Sequence, residues 1–143
     1  MVFNSYERGR CFLGRLPYES DLLEGVQELC RKEGITLGVF WALGAVKSAR
    51  LAYYNQESHT YESVAIIDEP RELISCLGNI SLRDGQPMVH AHVALADEEG
   101  KTVSGHLLSG TIVFACELFV QELVGPPLIG ERDEATRELI DEG

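Results

Sequence analysis

The sequence has no long apolar segment and few basic side chains. None of its apolar runs reaches the roughly 18 residues that a transmembrane helix needs, so we expect no membrane-spanning helix. Twelve Lys and Arg residues stand against twenty-three Asp and Glu residues, which gives a formal net charge of −11 at pH 7. Affinity for duplex DNA and for anionic membranes depends on basic side chains. An acidic chain whose clusters of Lys and Arg are short is therefore a poor candidate for binding DNA or an anionic membrane by itself.

Closely spaced cysteines are missing as well. The four cysteines, Cys11, Cys30, Cys76 and Cys116, are far apart in the sequence and form no CxxC pair. The N-terminal residues become polar at once and lack the apolar core of a secretory signal peptide. Because disulfides are rare in reducing compartments, we expect reduced thiols in the protein core and a cytoplasmic location.

The rest of the chain carries the apolar patterns of a single domain. Its 143 residues correspond to about one domain, with a core over about 10–123 and a C-terminal tail over 124–143. Asp21 or Ser20 caps a predicted helix over about 20–33, and Gly34 ends it. The strands predicted after this helix are 35–46, 49–54, 60–67, 73–82, 88–96, 101–108 and 111–123. One helix followed by consecutive strands predicts an α+β domain with a curled, mainly antiparallel sheet of about seven strands.

Histidines are the most informative residues. Three of the four, His90, His92 and His106, fall in one predicted hairpin. In its first strand the odd-numbered residues of 89–95 are apolar, which predicts that they face the core. Because side chains alternate along a strand, His90 and His92 should lie side by side on the opposite face. The partner strand has the same alternation, so His106 should share that face.

The length of the hairpin loop decides which histidines are opposed. A three-residue loop centred on Glu98 pairs His106 with His90. A five-residue loop centred on Glu99 pairs it with His92 instead, and the sequence leaves both registers open. Opposed side chains begin roughly 4.5–5.5 Å apart at Cβ in either case. Three imidazoles whose Cβ atoms are this far apart can converge on one ion at the usual Zn–N distance of about 2.0–2.1 Å.

Three histidines without an obvious fourth ligand predict an open metal site. Structural zinc sites usually have four protein ligands, whereas catalytic and binding sites leave a position for water or substrate. Zinc is the first candidate, although imidazole also binds copper, nickel, cobalt and iron. The alternative is an exposed strand surface on which the histidines hold no metal. His59, in the turn region near 55–58, is interpreted as a surface loop residue.

Polar residues also interrupt the apolar strands. Glu117 lies between apolar residues of the last strand, where a carboxylate is costly to bury unless it is paired. It is a candidate to hydrogen-bond a ligand imidazole or to act as a base, and the alternative is an exposed edge or a subunit contact. Asn79 and Ser81 either line a pocket or end a strand, and Glu72 is expected to be exposed.

Residues from about 10 to 123 resemble the PPC domain, which is shared by plant AT-hook proteins and stand-alone prokaryotic proteins. The matching motifs are Leu43-Gly44-Ala45-Val46, Ala52-Tyr53-Tyr54, Glu72-Leu73, Gly78-Asn79-Ile80-Ser81, His90-Ala91-His92, Gly105-His106-Leu107-Leu108 and Glu117. Many relatives have Gly-Gly-His where this chain has Ser104-Gly105-His106, and the histidine is kept. Asn79, Ser81 and Gly105 lie within these motifs and are candidates for binding a ligand or supporting the metal ligands.

The resemblance implies an α/β sandwich-like fold with a mainly antiparallel sheet, assembled as a homotrimer. It also implies that His90, His92 and His106 lie near a subunit boundary, where stand-alone members can hold a metal. Plant members carry AT-hooks with an Arg-Gly-Arg-Pro core. Here Arg8-Gly9-Arg10 is followed by Cys11, so we expect no AT-hook.

Two functions are therefore expected. The first is a metal-binding homotrimer, with zinc as the favoured cofactor, whose open site binds a small anionic ligand or catalyses metal-assisted hydrolysis with Glu117 as proton acceptor. The alternative is a non-enzymatic DNA-associated or oligomerisation module, as in plant AT-hook proteins. The sequence leaves open whether the protein is an enzyme.

Overall fold

The computed structural model describes residues 3–128 and forms one helix and seven strands within that range. The elements are β1 (Glu7–Leu16), α1 (Leu22–Glu33), β2 (Gly38–Asn55), β3 (Thr60–Ile67), β4 (Arg71–Arg83), β5 (Gln86–Ala96), β6 (Thr102–Leu107) and β7 (Ile112–Val124). All strand pairings are antiparallel. The predicted combination of one helix with a mainly antiparallel sheet of about seven strands is confirmed, and the fold is mostly β. In the predicted tail over 124–143, residues 129–143 lie outside the described residues.

Helix α1 begins and ends at the residues that the sequence predicts. The Asp21 side chain accepts a hydrogen bond of 3.0 Å from the backbone N–H of Glu24, so Asp21 rather than Ser20 is the N-cap. Gly34 has a φ of 68° and ends the helix in the left-handed conformation, which glycine adopts without a steric penalty. The helix buries Leu22, Leu23, Val26 and Cys30 in the core. No helix among residues 3–128 is long and apolar enough to cross a membrane.

The sheet curls until it closes on itself. Its order is β1-β7-β2-β4-β5-β6, and β3 pairs with β2. The 18 residues of β2 form one continuous strand where the sequence predicts two, over 35–46 and 49–54. The first half of β2 pairs with β7 and β4, and the second half pairs with β3 and, at Leu51 and Ala52, with β6. Strands β2, β4, β5 and β6 therefore form a closed ring.

Strand β5 has the two faces that the sequence predicts. Its inward residues are Val89, Ala91, Val93 and Leu95, each at most 3% exposed. Alternation along the strand leaves His90 and His92 on the outer face. The core therefore fills the inside of the ring, and the histidines lie outside it.

Strand β1 and its cysteine differ from the expectation. No strand is predicted before the helix, because the residues of β1 are mostly exposed and show no alternation of apolar and polar side chains. Its pairing with β7 holds it in place. Cys30, Cys76 and Cys116 are buried free thiols, as predicted, whereas Cys11 is exposed on β1. Burial raises the pKa of Cys76 to about 12, so this thiol is neutral at pH 7.

Candidate metal centre

The loop between β5 and β6 determines how the histidines are paired. Five residues from Asp97 to Lys101 form this loop. The Asp97 carboxylate oxygen Oδ1 accepts hydrogen bonds from the backbone N–H groups of Glu99 and Lys101, both at 2.9 Å. In the resulting register His92 lies directly opposite His106. Of the two registers that the sequence leaves open, the structure therefore has the one centred on Glu99.

Three imidazole rings meet on the outer face of this hairpin. The ring centroid of His90 lies 5.1 Å from that of His92 and 5.0 Å from that of His106, and the His92–His106 distance is 5.8 Å. One ring nitrogen of each residue lies within 4.8 Å of the other two. Nitrogens bound to one tetrahedral zinc ion are about 3.4 Å apart, given a Zn–N distance of about 2.0–2.1 Å. The three side chains are therefore close to the arrangement that a shared metal requires.

The three rings differ in exposure, which leaves one side of the cluster open. His106 is only 5% exposed, His90 is half-buried and His92 is exposed. Burial, and secondarily the charges of His90 and His92, lowers the pKa of His106 to about 4. Its imidazole is therefore neutral at pH 7 and keeps a lone pair for a metal.

The environment of His106 fits a metal ligand. Its buried Nδ1 has no hydrogen-bond partner among the described residues. A buried polar atom without a partner costs free energy, and coordination to a cation would remove that cost. The donor set of three imidazoles suits zinc and related divalent ions.

Asn79 lies beside the cluster. It is directly opposite His90 across the β4–β5 pair, and its buried Oδ1 has no hydrogen-bond partner among residues 3–128. Ser81 is fully buried two residues further along β4, opposite Met88. Asn79 is thus placed where it could support a metal ligand. Its role and that of Ser81 in binding remain predictions.

Gly105 has a packing role that the sequence does not reveal. A Cβ atom at this position would lie 2.8 Å from the backbone oxygen of Ala52. Glycine therefore allows β6 to approach β2 closely, so that His106 pairs with Ala52. Gly105 also lines the pocket described below, and its predicted contact with a ligand is not tested.

Glu117 lies on a different part of the sheet. On β7 it is opposite Leu43 of β2 and Arg15 of β1. Its side chain is 56% exposed, and Oε1 lies 3.7 Å from Nη2 of Arg15. Within one chain the structure does not bring Glu117 into the pocket beside the histidines. The action of Glu117 as a base remains a prediction. Its exposure matches the alternative interpretation, in which Glu117 lies at an exposed edge or a subunit contact. Glu72 is exposed, as expected.

A pocket of about 810 Å³ opens beside His92 and His106. It is formed by the second half of β2, the β2–β3 turn, β3 and the outer face of β4, β5 and β6. Its larger side chains, apart from the two histidines, are Tyr53, Tyr54, Gln56, His59, Tyr61 and Leu77. No Asp, Glu, Lys or Arg of the described chain lines it.

The aromatic wall of this pocket is not predicted from the sequence. The ring centroid of Tyr61 lies 4.6 Å from that of His106, and the centroid of Tyr54 lies 5.0 Å from that of Tyr61. His59 lies in the turn as expected, but it also lines the pocket, with a φ of 56°. Two features of the sequence point to this wall. They are the Ala52-Tyr53-Tyr54 motif and Tyr61, which lies opposite Tyr54 in the β2–β3 hairpin.

Comparisons with known proteins agree with this architecture. The model of the Plants and Prokaryotes Conserved (PCC) domain family matches residues 3–124. None of the curated proteins matches the chain. Among solved structures, a metal-containing protein from Archaeoglobus fulgidus is 38% identical, with 100% of both chains covered and a TM-score of 0.92.

Two further structures extend the comparison. A plant- and prokaryote-conserved (PPC) protein from Pyrococcus horikoshii is 37% identical, with 97% of this chain and 96% of that chain covered and a TM-score of 0.90. A protein from Bacteroides thetaiotaomicron, provisionally described as DNA-binding, is 21% identical, covers 96% of each chain and has a TM-score of 0.82; it shows the likeness of fold alone. The family match over residues 3–124 and the two closely similar structures together show that this chain belongs to the plants and prokaryotes conserved domain family.

Proposed function

We propose that this protein binds a divalent metal ion, with zinc as the first candidate, through His90, His92 and His106. The observation that carries the proposal is the placement of three ring nitrogens within 4.8 Å of one another at the edge of a pocket. The similar protein from Archaeoglobus fulgidus, described as metal-containing, supports it further.

The open side of the site is suited to a small anionic ligand. Neutral imidazoles leave the charge of a divalent ion uncompensated, and no carboxylate of the described chain lines the adjoining pocket. Such an ion attracts anions and can polarise a ligand oxygen or lower the pKa of a water molecule. We propose binding rather than hydrolysis, because Glu117 does not reach the pocket within one chain.

The histidine cluster predicts the metal content of the protein. Full-length wild type loaded with zinc and then desalted should retain about one zinc ion per chain. The triple variant His90→Ala, His92→Ala, His106→Ala should retain almost none, because a site without these ligands loses its donor set. Elemental analysis by mass spectrometry measures both.

His59→Ala is the matched control, since it removes a histidine of the same pocket that is outside the cluster. It should retain zinc as wild type does. A wild-type protein that stays metal-free after zinc loading would contradict the proposal, and so would a triple variant that binds as much zinc as the wild type.

We further propose that the chain assembles as a homotrimer with the metal centre near a subunit boundary. A row of apolar side chains continues from His92 across the outer face of the sheet. Successive register positions on β4, β2, β7 and β1 are held by Leu77, Trp41, Phe119 and Leu13. Leu77 is 60% exposed and Leu13 is 80% exposed. Exposed apolar patches of this kind mark contact surfaces, and this one begins at the histidines.

Sedimentation equilibrium should therefore give the mass of three chains for the wild type. Leu77→Glu should shift the mass toward one chain, because the interface would bury an unpaired charge. Ile66→Glu is the control, since Ile66 is 67% exposed on β3, outside the row, and this variant should remain trimeric. A monomeric wild type, or a fully trimeric Leu77→Glu variant with unchanged circular dichroism, would refute the assembly.

A DNA-associated module is the second candidate. Relatives from Bacteroides thetaiotaomicron and Ralstonia eutropha are provisionally described as DNA-binding and are 21% and 23% identical. The net charge of −11 opposes this function. Two of the three arginines of β1 also lie beside acids, since Arg10 lies 2.8 Å from Glu122 and Arg15 lies 3.7 Å from Glu117.

We expect no binding of the full chain to an A·T-rich duplex at about 0.15 M salt, as measured by fluorescence anisotropy. Twelve basic residues stand against twenty-three acidic ones, so the displacement of counterions from the phosphates is opposed by the net charge. Binding that weakens steeply as salt is added would contradict this expectation and favour the second candidate.

A further inference from the structure

We propose that the pocket beside the histidines selects a flat aromatic or heteroaromatic carboxylate, whose carboxylate faces the metal centre and whose ring lies among the tyrosine side chains. This inference rests on the proposed metal binding and adds the class of ligand. It follows from the size of the pocket, the rings in its wall and the charges that the pocket lacks.

The volume of the pocket suits a small organic molecule rather than an inorganic ion. Pockets that bind small molecules commonly measure about 300–1,000 Å³, and this one measures about 810 Å³. A lone metal-bound anion such as acetate or chloride would fill only a small part of it. The ligand should therefore have an apolar body as well as an anionic group.

The walls of the pocket favour a planar body. Tyr54 and Tyr61 meet edge to face with ring centroids 5.0 Å apart, and Tyr61 packs against His106 at 4.6 Å. The three rings form a continuous series from the β2–β3 hairpin to the candidate metal centre. Tyr53 also lines the pocket. Aromatic ligands gain from edge-to-face or offset packing on such rings beyond the burial of apolar area. A saturated ring of similar size gains binding free energy only from the burial of its apolar area.

The charges around the pocket favour a carboxylate over a phosphate. Phosphate sites use Arg or Lys side chains to share the charge of several oxygens. No such side chain among residues 3–128 of the same chain lines this pocket, so within one chain the metal would be its centre of positive charge. No Asp or Glu among residues 3–128 lines it either. A singly charged carboxylate matches one cationic centre in otherwise neutral surroundings.

The β2–β3 turn adds neutral polar groups to the same pocket. Asn55 Oδ1 accepts hydrogen bonds from the backbone N–H groups of Glu57 and Ser58, at 2.9 and 3.1 Å, which holds the turn in shape. His59 follows in the left-handed conformation, and both His59 and Gln56 line the pocket. These side chains offer hydrogen bonds to a substituent on the ring without adding an acidic group.

The test uses the full-length protein loaded with Co(II), whose visible absorption reports changes at the metal. Benzoate, cyclohexanecarboxylate, acetate and benzyl alcohol are titrated, and affinities are measured by calorimetry. Benzoate should bind about two- to tenfold more tightly than cyclohexanecarboxylate, because only the flat ring packs on the aromatic wall. All three carboxylates should change the Co(II) spectrum, whereas benzyl alcohol should leave it unchanged.

Two variants connect this selectivity to the wall. Tyr54→Leu should abolish the preference for benzoate while Co(II) binds as tightly as in wild type, because Tyr54 packs on Tyr61 and is not one of the three histidines that would hold the metal. Tyr61→Leu provides the same test if Tyr54→Leu fails to fold, with Co(II) affinity measured alongside because Tyr61 packs on His106. Tyr18→Leu is the control outside the pocket, and it should keep the preference.

The outcomes separate this inference from the metal proposal. Equal affinities for benzoate and cyclohexanecarboxylate would overturn the inference and leave metal binding intact. Benzoate binding that is unaffected by removal of the metal, or a preference that survives loss of the tyrosine, would overturn it as well. Failure to take up Co(II) or zinc would instead overturn the proposed function.

Discussion

The hydrogen bonds of the Asp97 side chain fix the loop between β5 and β6, and the candidate metal centre depends on the register that this loop creates. With a five-residue loop, His92 lies opposite His106 and His90 lies beside both on the same face. A slip of one residue would turn every side chain of a strand to the other face and would bring a histidine into the core. The inner residues of β5, each at most 3% exposed, oppose such a slip because it would expose them.

Closure of the sheet supplies the second half of the site. Strand β2 is long enough to pair with β4 in its first half and with β6 in its second half. Because the second half also pairs with β3, the β2–β3 hairpin lies next to His106. Gly105 permits the close approach of β6 to β2. One hairpin thus provides the three candidate metal ligands and the other provides aromatic rings. No Asp or Glu of residues 3–128 lines the pocket between them.

Local patterns predict much of this arrangement. The Asp21 cap, the apolar stripe of α1 and Gly34 are contiguous signals, and the alternation of β5 identifies its buried face and its histidine face. Features that depend on distant parts of the chain are not predicted. Strand β1 is held by β7 and has no periodic pattern of its own. The Tyr61 contact with His106 arises from the closure of the sheet, and the polar position of Glu117 in an apolar strand reflects an exposed face.

Anomalous X-ray diffraction at the zinc absorption edge, from crystals of the full-length protein grown with zinc, tests the metal centre most directly. An anomalous peak is expected about 2.0–2.1 Å from one ring nitrogen of each of His90, His92 and His106. A map that shows the three rings pointing apart, with no anomalous peak between them, would contradict it.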